Sequence, residues 1–495
     1  MKTSRKFARA TALAVLLFLL GTALPSTARQ AAVPDFDAQA VRRLVADQVE
    51  SRGLVGLSLV IVKDGRTVLT EGFGARALGS GEPVTADTMF AIGSITKQFT
   101  AACVLFLAED GKLGVTDKVA KYYPGLTRAG DITLLDLMNH VSGYRDYYPL
   151  DFVDRPMAQP IEVDEVIRRY ATRELDFEPG TRYSYSNTGY LILGRVVEKT
   201  SGEPFGTFLS RRVLTPLGLA HTAYEPDPAS AGLAQGYMSF WLGQPEPVAL
   251  EGKGWIAAAG AIFSTPKDMA VWDTALTGGK VLKEGSFKLM TTPRKLKDGG
   301  VSNYGCGLAI GARRGVTVLS HGGAVNGFYA LNLVVPSTRS AVILFSNLSS
   351  YSDVNVVYNQ LAALVLPIEE KRPAEKPAVK EKPEASAVTS GIPAIAGPPA
   401  VEQAKAFVRA LQEGRVDRTS LGEEFGFFLK EGAIAPAAVR LKLFGEPTAA
   451  EIESIGERGG MEVSTTRLQF KSGVLKVLMY RTPDGKIQQL FIQKG

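Results

Sequence analysis

From Phe36 to about Val49 apolar residues recur at the spacing of one helical face, with polar residues between them. The period then changes. Val55 to Lys63 and Arg66 to Phe73 are β-rich runs separated by Asp64 and Gly65, a pair suited to a tight hairpin turn. Much later, β-rich runs return at Val316 to Ser320, Phe328 to Val335 and Ala341 to Ser346, followed by an apolar helical pattern from Val354 to Leu366. Helical patterns dominate the residues between. Strands at both ends with helices in the middle predict an α/β (strictly α+β) architecture: one antiparallel sheet built from both ends of the unit, flanked by helices, with a helical region inserted.

Two changes of texture divide the chain further. Residues 367–400 shift to Pro, Ala, Glu and Lys, with acids and bases balanced from Glu369 to Glu384, which reads as a solvated, semi-extended linker. It separates a large unit, residues 34–366, from a small one, residues 401–495. The small unit has a helix pattern at Val401 to Gln412 and period-two runs at Val463 to Phe470, Val474 to Tyr480 and Ile487 to Gln493. These predict a small α+β domain, a helix on a sheet. Lacking His, Cys and any catalytic set, it is expected to serve stability or binding. At the other end Lys2, Arg5, Lys6 and Arg9 precede an apolar run from Thr11 to Leu24, and Ser26, Thr27 and Ala28 follow as a small-x-small site. Residues 1–28 therefore read as a secretory signal peptide, because the apolar run is shorter than the roughly 20 residues a bilayer span needs. The expectation is a periplasmic or extracellular protein with no stable membrane span after cleavage.

A length of 495 residues with 45% hydrophobic and 21% charged positions fits a globular protein of more than one domain. The net charge of +6 loses the four bases of the leader, and no basic patch is interleaved with aromatics, so nucleic acid is not an expected partner. The three histidines, His140, His221 and His321, and the two cysteines, Cys103 and Cys306, are widely scattered. That scatter argues against a metal site and a disulfide framework, and the cysteines are expected as buried thiols, although an exported pair could bond.

Candidate chemistry begins at Gly93-Ser94-Ile95-Thr96-Lys97, which leads into an apolar helix through Phe99, Cys103, Leu105 and Leu107. Ser94 and Lys97, three apart, share a helix face. A lysine amine held neutral by desolvation can take the serine proton, and the helix N-terminus offers N–H groups to an oxyanion. The same spacing recurs at Ser264-Thr265-Pro266-Lys267, where the Ser or Thr before Pro, Ser264 foremost, reads instead as the cap of a helix with Pro at its first position. Spacing alone thus leaves Ser94 between cap and nucleophile. Tyr183-Ser184-Tyr185-Ser186-Asn187 offers a phenol oxygen for proton relay and an amide to orient Lys97 or a substrate carbonyl; alone it is equally a polar helix start. His321-Gly322-Gly323-Ala324, after the run Val316 to Ser320, offers glycines that let a substrate backbone approach; alone it is a strand-end turn.

Taken in order, Ser94-x-x-Lys97, Tyr185-x-Asn187 and His321-x-Gly323 resemble the serine penicillin-recognising enzymes, the superfamily of class C β-lactamases and low-molecular-weight DD-peptidases. The similarity is greatest to the β-lactamase-related serine hydrolases, and Leu134 to Tyr144, Phe177 to Gly194 and Ala259 to Leu276 extend it over nearly all of the large unit. The resemblance implies a β-lactamase/transpeptidase-like fold, with Ser94 the acylated nucleophile and Lys97 its partner in proton transfer. It implies Tyr185 as shared base and later acid to the leaving group, and Asn187 as holder of Lys97 and the substrate amide. The N–H groups of Ser94 and Ala324 would form the oxyanion hole, and His321 and Gly323 would line the strand that docks substrate. Family members need no metal or organic cofactor, so none is expected.

His321 departs from the family pattern, which usually has Lys or Arg at that position. A histidine is mostly neutral at pH 7, so efficient penicillin hydrolysis is not expected. The expected reaction is two-step acyl transfer to water from a small-molecule or peptide substrate: an ester, amide or D-amino-acid peptide, with cell-wall peptides among the candidates. A class C-like β-lactamase and a non-catalytic binder of cell-wall peptides are the alternatives. His140 and His221 are expected to be structural, and Tyr144, Tyr147 and Tyr148 to form an aromatic rim to the cleft.

Overall fold

The computed structural model describes residues 36–148, 150–366 and 392–495. The expected leader and most of the expected linker lie outside the described residues.

Helix α1 (Ala38–Ser51) buries Val41, Val45 and Val49, one stripe four residues apart, and the Asp37 carboxylate caps it by accepting from the Ala40 N–H. Strands β1 (Gly56–Lys63) and β2 (Arg66–Gly74) form the expected hairpin, with Asp64 and Gly65 both at positive φ, as a two-residue turn demands. Next come α2 (Thr96–Glu109), α3 (Asn187–Ser201) and α4 (Pro266–Thr277), then β3 (Ala309–Arg313), β4 (Val316–Val325), β5 (Phe328–Val335), β6 (Ser340–Ser346) and α5 (Tyr351–Val365). The strands make one six-stranded antiparallel sheet in the order β3-β4-β5-β6-β1-β2. Its two halves, from opposite ends of the unit, join where Leu57 of β1 faces Ser346 of β6. β1, paired on both sides, is buried almost throughout.

Helix α2 is buried on every side from Thr96 to Leu107, so it is a core helix. Trp272 of α4 stacks on Phe99 at 4.3 Å, and its indole N–H donates to Gln98 Oε1 at 3.0 Å. Gln98 donates in turn to Asn332 of β5, whose amide donates to Asp273 at 2.6 Å. This buried network ties α2 to the sheet and to α4 at the residue next to Lys97.

Two expectations are corrected. Ser264 does not cap α4: it ends the strand Ile262–Ser264 and bonds the Thr222 hydroxyl, whereas Thr265, the residue directly before the proline, accepts from the Asp268 N–H. The proline at the first helical position leaves only its immediate neighbour in the cap geometry. Likewise, His321 to Ala324 do not follow a strand but belong to β4, because β5 pairs with β4 out to Val325.

The C-terminal residues form a separate domain. Helix α6 (Ala400–Gln412) packs on a four-stranded antiparallel meander of β7 (Ala449–Arg458), β8 (Met461–Phe470), β9 (Gly473–Arg481) and β10 (Ile487–Lys494), and α7 (Glu431–Lys442) packs against α6. Its apolar core includes Phe152, Met238 and Trp241 of the large unit, and the Trp241 indole donates to the Leu490 carbonyl at 3.1 Å. The last residues of the expected linker are fastened to this domain: Ala396 donates to the Pro483 carbonyl and Pro398 accepts from Arg481. Cys103 and Cys306 are free, buried thiols.

Candidate active site

Ser94 lies in a short 3-10 turn, Gly93–Ile95, that feeds directly into α2. The turn is pressed against β4. At Gly93, with φ of 49°, a Cβ would sit 2.7 Å from the Ala324 nitrogen, and at Gly323 one would sit 1.8 Å from the Ile92 carbonyl oxygen. Only glycine permits either approach. β3 pairs with β4 only up to Ser320, so from His321 to Val325 the strand is bound to β5 on one side and open on the other. That free edge and Ser94 line one cleft of about 420 Å³.

Beneath the serine, Lys97 is fully buried at the first turn of α2. Its Nζ lies 3.0 Å from Ser94 Oγ, 2.7 Å from Asn187 Oδ1 and 2.7 Å from the Ala259 carbonyl. Burial holds the amine well below the usual lysine range; the Asp146 carboxylate works against this and Arg458 adds to it. Asn187 opens α3, and both its backbone N–H and its side-chain amide donate to Asp146 Oδ1, at 3.0 and 2.9 Å. Asp146 thus caps the helix and turns the Asn187 carbonyl toward Lys97.

Tyr185 lines the cleft with its ring 4.9 Å from Lys97 Nζ. Burial drives its phenol pKa upward, and the nearby Ser94 hydroxyl offsets this in part, although the phenol makes no well-aligned hydrogen bond. Below it stands His140, 4.2 Å from the Tyr185 ring, whose Nδ1 accepts from the Ser186 N–H. His140 thereby fixes the segment that carries Tyr185. His221 does not line the cleft; its backbone N–H donates to Asp268.

His321 Nδ1 meets the Gly322 carbonyl at 2.5 Å and Nε2 meets the Tyr304 hydroxyl at 2.8 Å. A carbonyl only accepts, so Nδ1 carries the proton and Nε2 accepts from the tyrosine. Burial, then Lys97, pulls this imidazole down to about 4, so it is neutral at pH 7. Of the three rim tyrosines, Tyr147 and Tyr148 line the cleft; Tyr144 does not, since its hydroxyl donates to the Thr127 carbonyl. Sequence reasoning missed Asp146, Tyr304 and Arg458, the last brought into the cleft from the C-terminal domain. None sits in a motif, and only tertiary packing places them.

A family model described as β-lactamase matches residues 41–366. The chain belongs to the β-lactamase family. Within this family, the D-aminopeptidase of Brucella anthropi is 29% identical over 297 residues, covering 59% of this chain and 56% of that enzyme. The D-aminopeptidase of Gluconobacter oxydans is 28% identical over 337 residues, 65% of this chain and 61% of that enzyme. The chain therefore spans under two thirds of the length of either. Among solved structures, D-amino acid amidase from Ochrobactrum anthropi SV3 complexed with L-phenylalanine amide gives a TM-score of 0.58 at 25% identity, over 66% of this chain and 97% of the amidase. The octameric penicillin-binding protein homologue from Pyrococcus abyssi gives 0.60 at 21% identity over 91% of this chain and 95% of that one, a likeness of fold that reaches into the C-terminal domain. This member of the β-lactamase family is a serine hydrolase.

Proposed function

We propose that the protein is an exported hydrolase that cleaves a D-amino-acid amide, peptide or ester through an acyl-enzyme on Ser94. The observation that carries this is the environment of Lys97 Nζ. Two of its three neighbours, the Asn187 and Ala259 carbonyl oxygens, only accept, so a neutral amine spends both N–H bonds on them. Its lone pair is then left for the third neighbour, the Ser94 hydroxyl. Lys97 takes the Ser94 proton as Oγ attacks the substrate carbonyl, and the oxyanion forms between the N–H groups of Ser94 and Ala324. Tyr185 passes the proton to the leaving nitrogen or oxygen, and water, activated by the same pair, releases the acyl group. Substrate backbone docks along the free edge His321 to Val325.

A neutral His321 supplies no cation for a penicillin carboxylate, which supports amide or ester substrates over β-lactams, in line with D-aminopeptidases among the relatives. A pure binder would have no use for a desolvated amine aimed at a serine. In the same reading, residues 1–28 are a cleaved leader, 34–366 the hydrolase domain, 367–400 a linker and 401–495 an accessory domain; the substrate is a small molecule or peptide, with cell-wall fragments a natural source for an exported enzyme.

The test is labelling of the mature protein with a fluorophosphonate, alongside a panel of D-alanyl amides, p-nitrophenyl esters and a chromogenic cephalosporin. Labelling abolished by Ser94→Ala, with amide or ester turnover well above cephalosporin turnover, is the expected result. Labelling that survives Ser94→Ala sinks the nucleophile assignment, and rapid cephalosporin turnover sinks the substrate class.

A further inference from the structure

Strands β7 and β8 of the C-terminal domain are joined by Gly459 and Gly460, at φ of 61° and 80°, so the hairpin closes in two residues with Arg458 opposite Met461. Arg458 is the last strand residue before the turn, and its guanidinium enters the active-site cleft of the hydrolase domain. Nη2 donates to the Tyr148 carbonyl at 2.9 Å, Nε lies 3.4 Å from Asp146 Oδ2 and Nη1 4.0 Å from Asp151 Oδ1. Asp146 is almost wholly buried, its side chain 1% exposed. Oδ1 accepts from Tyr148 and twice from Asn187, while Oδ2 faces Arg458. Asn187 then accepts from Lys97, and Lys97 reaches Ser94. An unbroken polar chain, Arg458 to Asp146 to Asn187 to Lys97 to Ser94, runs from one domain into the nucleophile of the other.

We infer that Arg458 is a positioning residue of the catalytic centre, contributed by the C-terminal domain, which balances the buried Asp146 carboxylate so that Asn187 orients Lys97 without trapping it as an ammonium ion. The inference rests on the reading of Lys97 as base to Ser94 given above. Its physical basis is that a buried carboxylate needs a counter-charge: Arg458 pairs with this one, and the same carboxylate favours the charged form of Lys97. With Arg458 in place, the carboxylate is neutralised from outside and the amine stays uncharged. Without it, the same carboxylate holds a proton on Lys97, and the base is lost.

The other groups facing this chain leave the balance to that trio. Around Lys97 stand Tyr185 and Tyr190, whose phenols burial pushes upward, and His140 and His321, whose imidazoles burial pushes downward, so all four are neutral at pH 7. Tyr304 is a buried neutral phenol against His321. Around Arg458 stand Tyr480 of β9, Tyr351 of α5 and Tyr148, again phenols with raised pKa, together with Asp151, which Gln489 and Tyr351 also bond. Among these residues the formal charges are Asp146, Asp151 and Arg458. Arg458 therefore weighs on the lysine by direct repulsion and by neutralising Asp146.

The experiment measures the second-order rate of fluorophosphonate labelling of the full mature chain from about pH 5 to 9.5, for the parent, Arg458→Met, Arg458→Gln and Arg458→Lys. In the parent the rate falls on the acid side as Lys97 takes a proton. Arg458→Met is expected to move that midpoint up by about one pH unit, slowing labelling about tenfold on the acid side while the rates converge at high pH. Arg458→Lys restores the parent midpoint. If circular dichroism finds Arg458→Met unfolded, Arg458→Gln, which keeps a donor for the Tyr148 carbonyl but no charge, reads the same shift. A midpoint that stays with the parent in the folded uncharged variant, whether the rate is unchanged or lower at every pH, overturns the inference. Loss of the Ser94 reading is a separate result, seen as labelling that survives Ser94→Ala in the parent background.

Discussion

At His321 burial sets the protonation state and two hydrogen bonds set the tautomer. Nδ1 gives its proton to a backbone carbonyl and Nε2 is met by the Tyr304 hydroxyl, so the neutral ring has a partner at both nitrogens, while burial and the nearby Lys97 disfavour the charged form. The folded pKa of about 4 against 6.5 unfolded fixes the sign of the linkage. The unfolded chain binds a proton here between pH 6.5 and 4 and the folded one does not, so stability is complete above 6.5 and is lost as the pH falls toward 4. Over that window the loss is on the order of 3 kcal/mol for this one group. His321→Gln should therefore flatten the fall in unfolding free energy between pH 7 and 4.5, measured by urea denaturation; an unchanged slope would show that His321 titrates normally. The same state separates what was legible at this scale from what was not. Ser94, Lys97, Tyr185, Asn187 and His321 stood in short motifs whose spacing a linear reading detects, and the structure brings all five into one cleft or directly beneath it. Asp146, Tyr304 and Arg458 matter only through neighbours distant in sequence, and nothing local sets them apart from other Asp, Tyr and Arg residues.

Elements were readable where burial imposes a period. β1, β5 and β6 are sandwiched between neighbours and read as apolar runs, and the Asp64-Gly65 turn declared its hairpin. β7 was invisible because none of its residues is fully buried, leaving no alternation to see, and α7 because Pro436 sits inside it. The placement of α2 depends on a network the sequence could not display. Asp273 is buried against the Asn332 amide, and burial raises its carboxyl to about 8 from 3.8. At pH 7 it is thus a neutral acid in the fold but an ionised one in the unfolded chain. The folded state holds the extra proton, so this group favours folding most below about pH 4 and progressively less as the pH rises toward 8. Asp273→Asn removes that penalty while keeping an amide of the same shape for Asn332. It is expected to raise the unfolding free energy at pH 7 to 8 and to make little difference at pH 4, read by urea denaturation at both ends. A variant that destabilises equally at every pH would mean that the protonated acid makes a bond the amide cannot replace.

For the molecule as a whole, the C-terminal domain is seated by a shared core. Trp241 is fully buried, packs against Phe240 and Phe407, and bonds Leu490, while Arg440 donates back to the Trp241 and Phe240 carbonyls and Arg155 pairs with Glu423 and Glu424. An apolar interface of this kind holds domains in one orientation, where a polar one would let them move. The sequence pattern set off a small unit expected to serve stability or binding; the packing sets its β7–β8 hairpin at the cleft, with Arg458 at its tip. Geometry at the proposed catalytic centre is then expected to depend on a tryptophan remote from it in the chain. Trp241→Ala should cost about 3 to 5 kcal/mol, as for other large buried aromatics, seen as a lower midpoint in denaturant. It should also carry a signature that simple destabilisation lacks: under conditions where the variant is still folded, the acid limb of fluorophosphonate labelling should move to higher pH, in the direction expected for Arg458→Met, because the hairpin no longer holds its guanidinium against Asp146. Loss of stability with an unmoved limb would mean that the hairpin keeps its place without the tryptophan, and that the two domains are joined at the cleft by Arg458 and its partners alone.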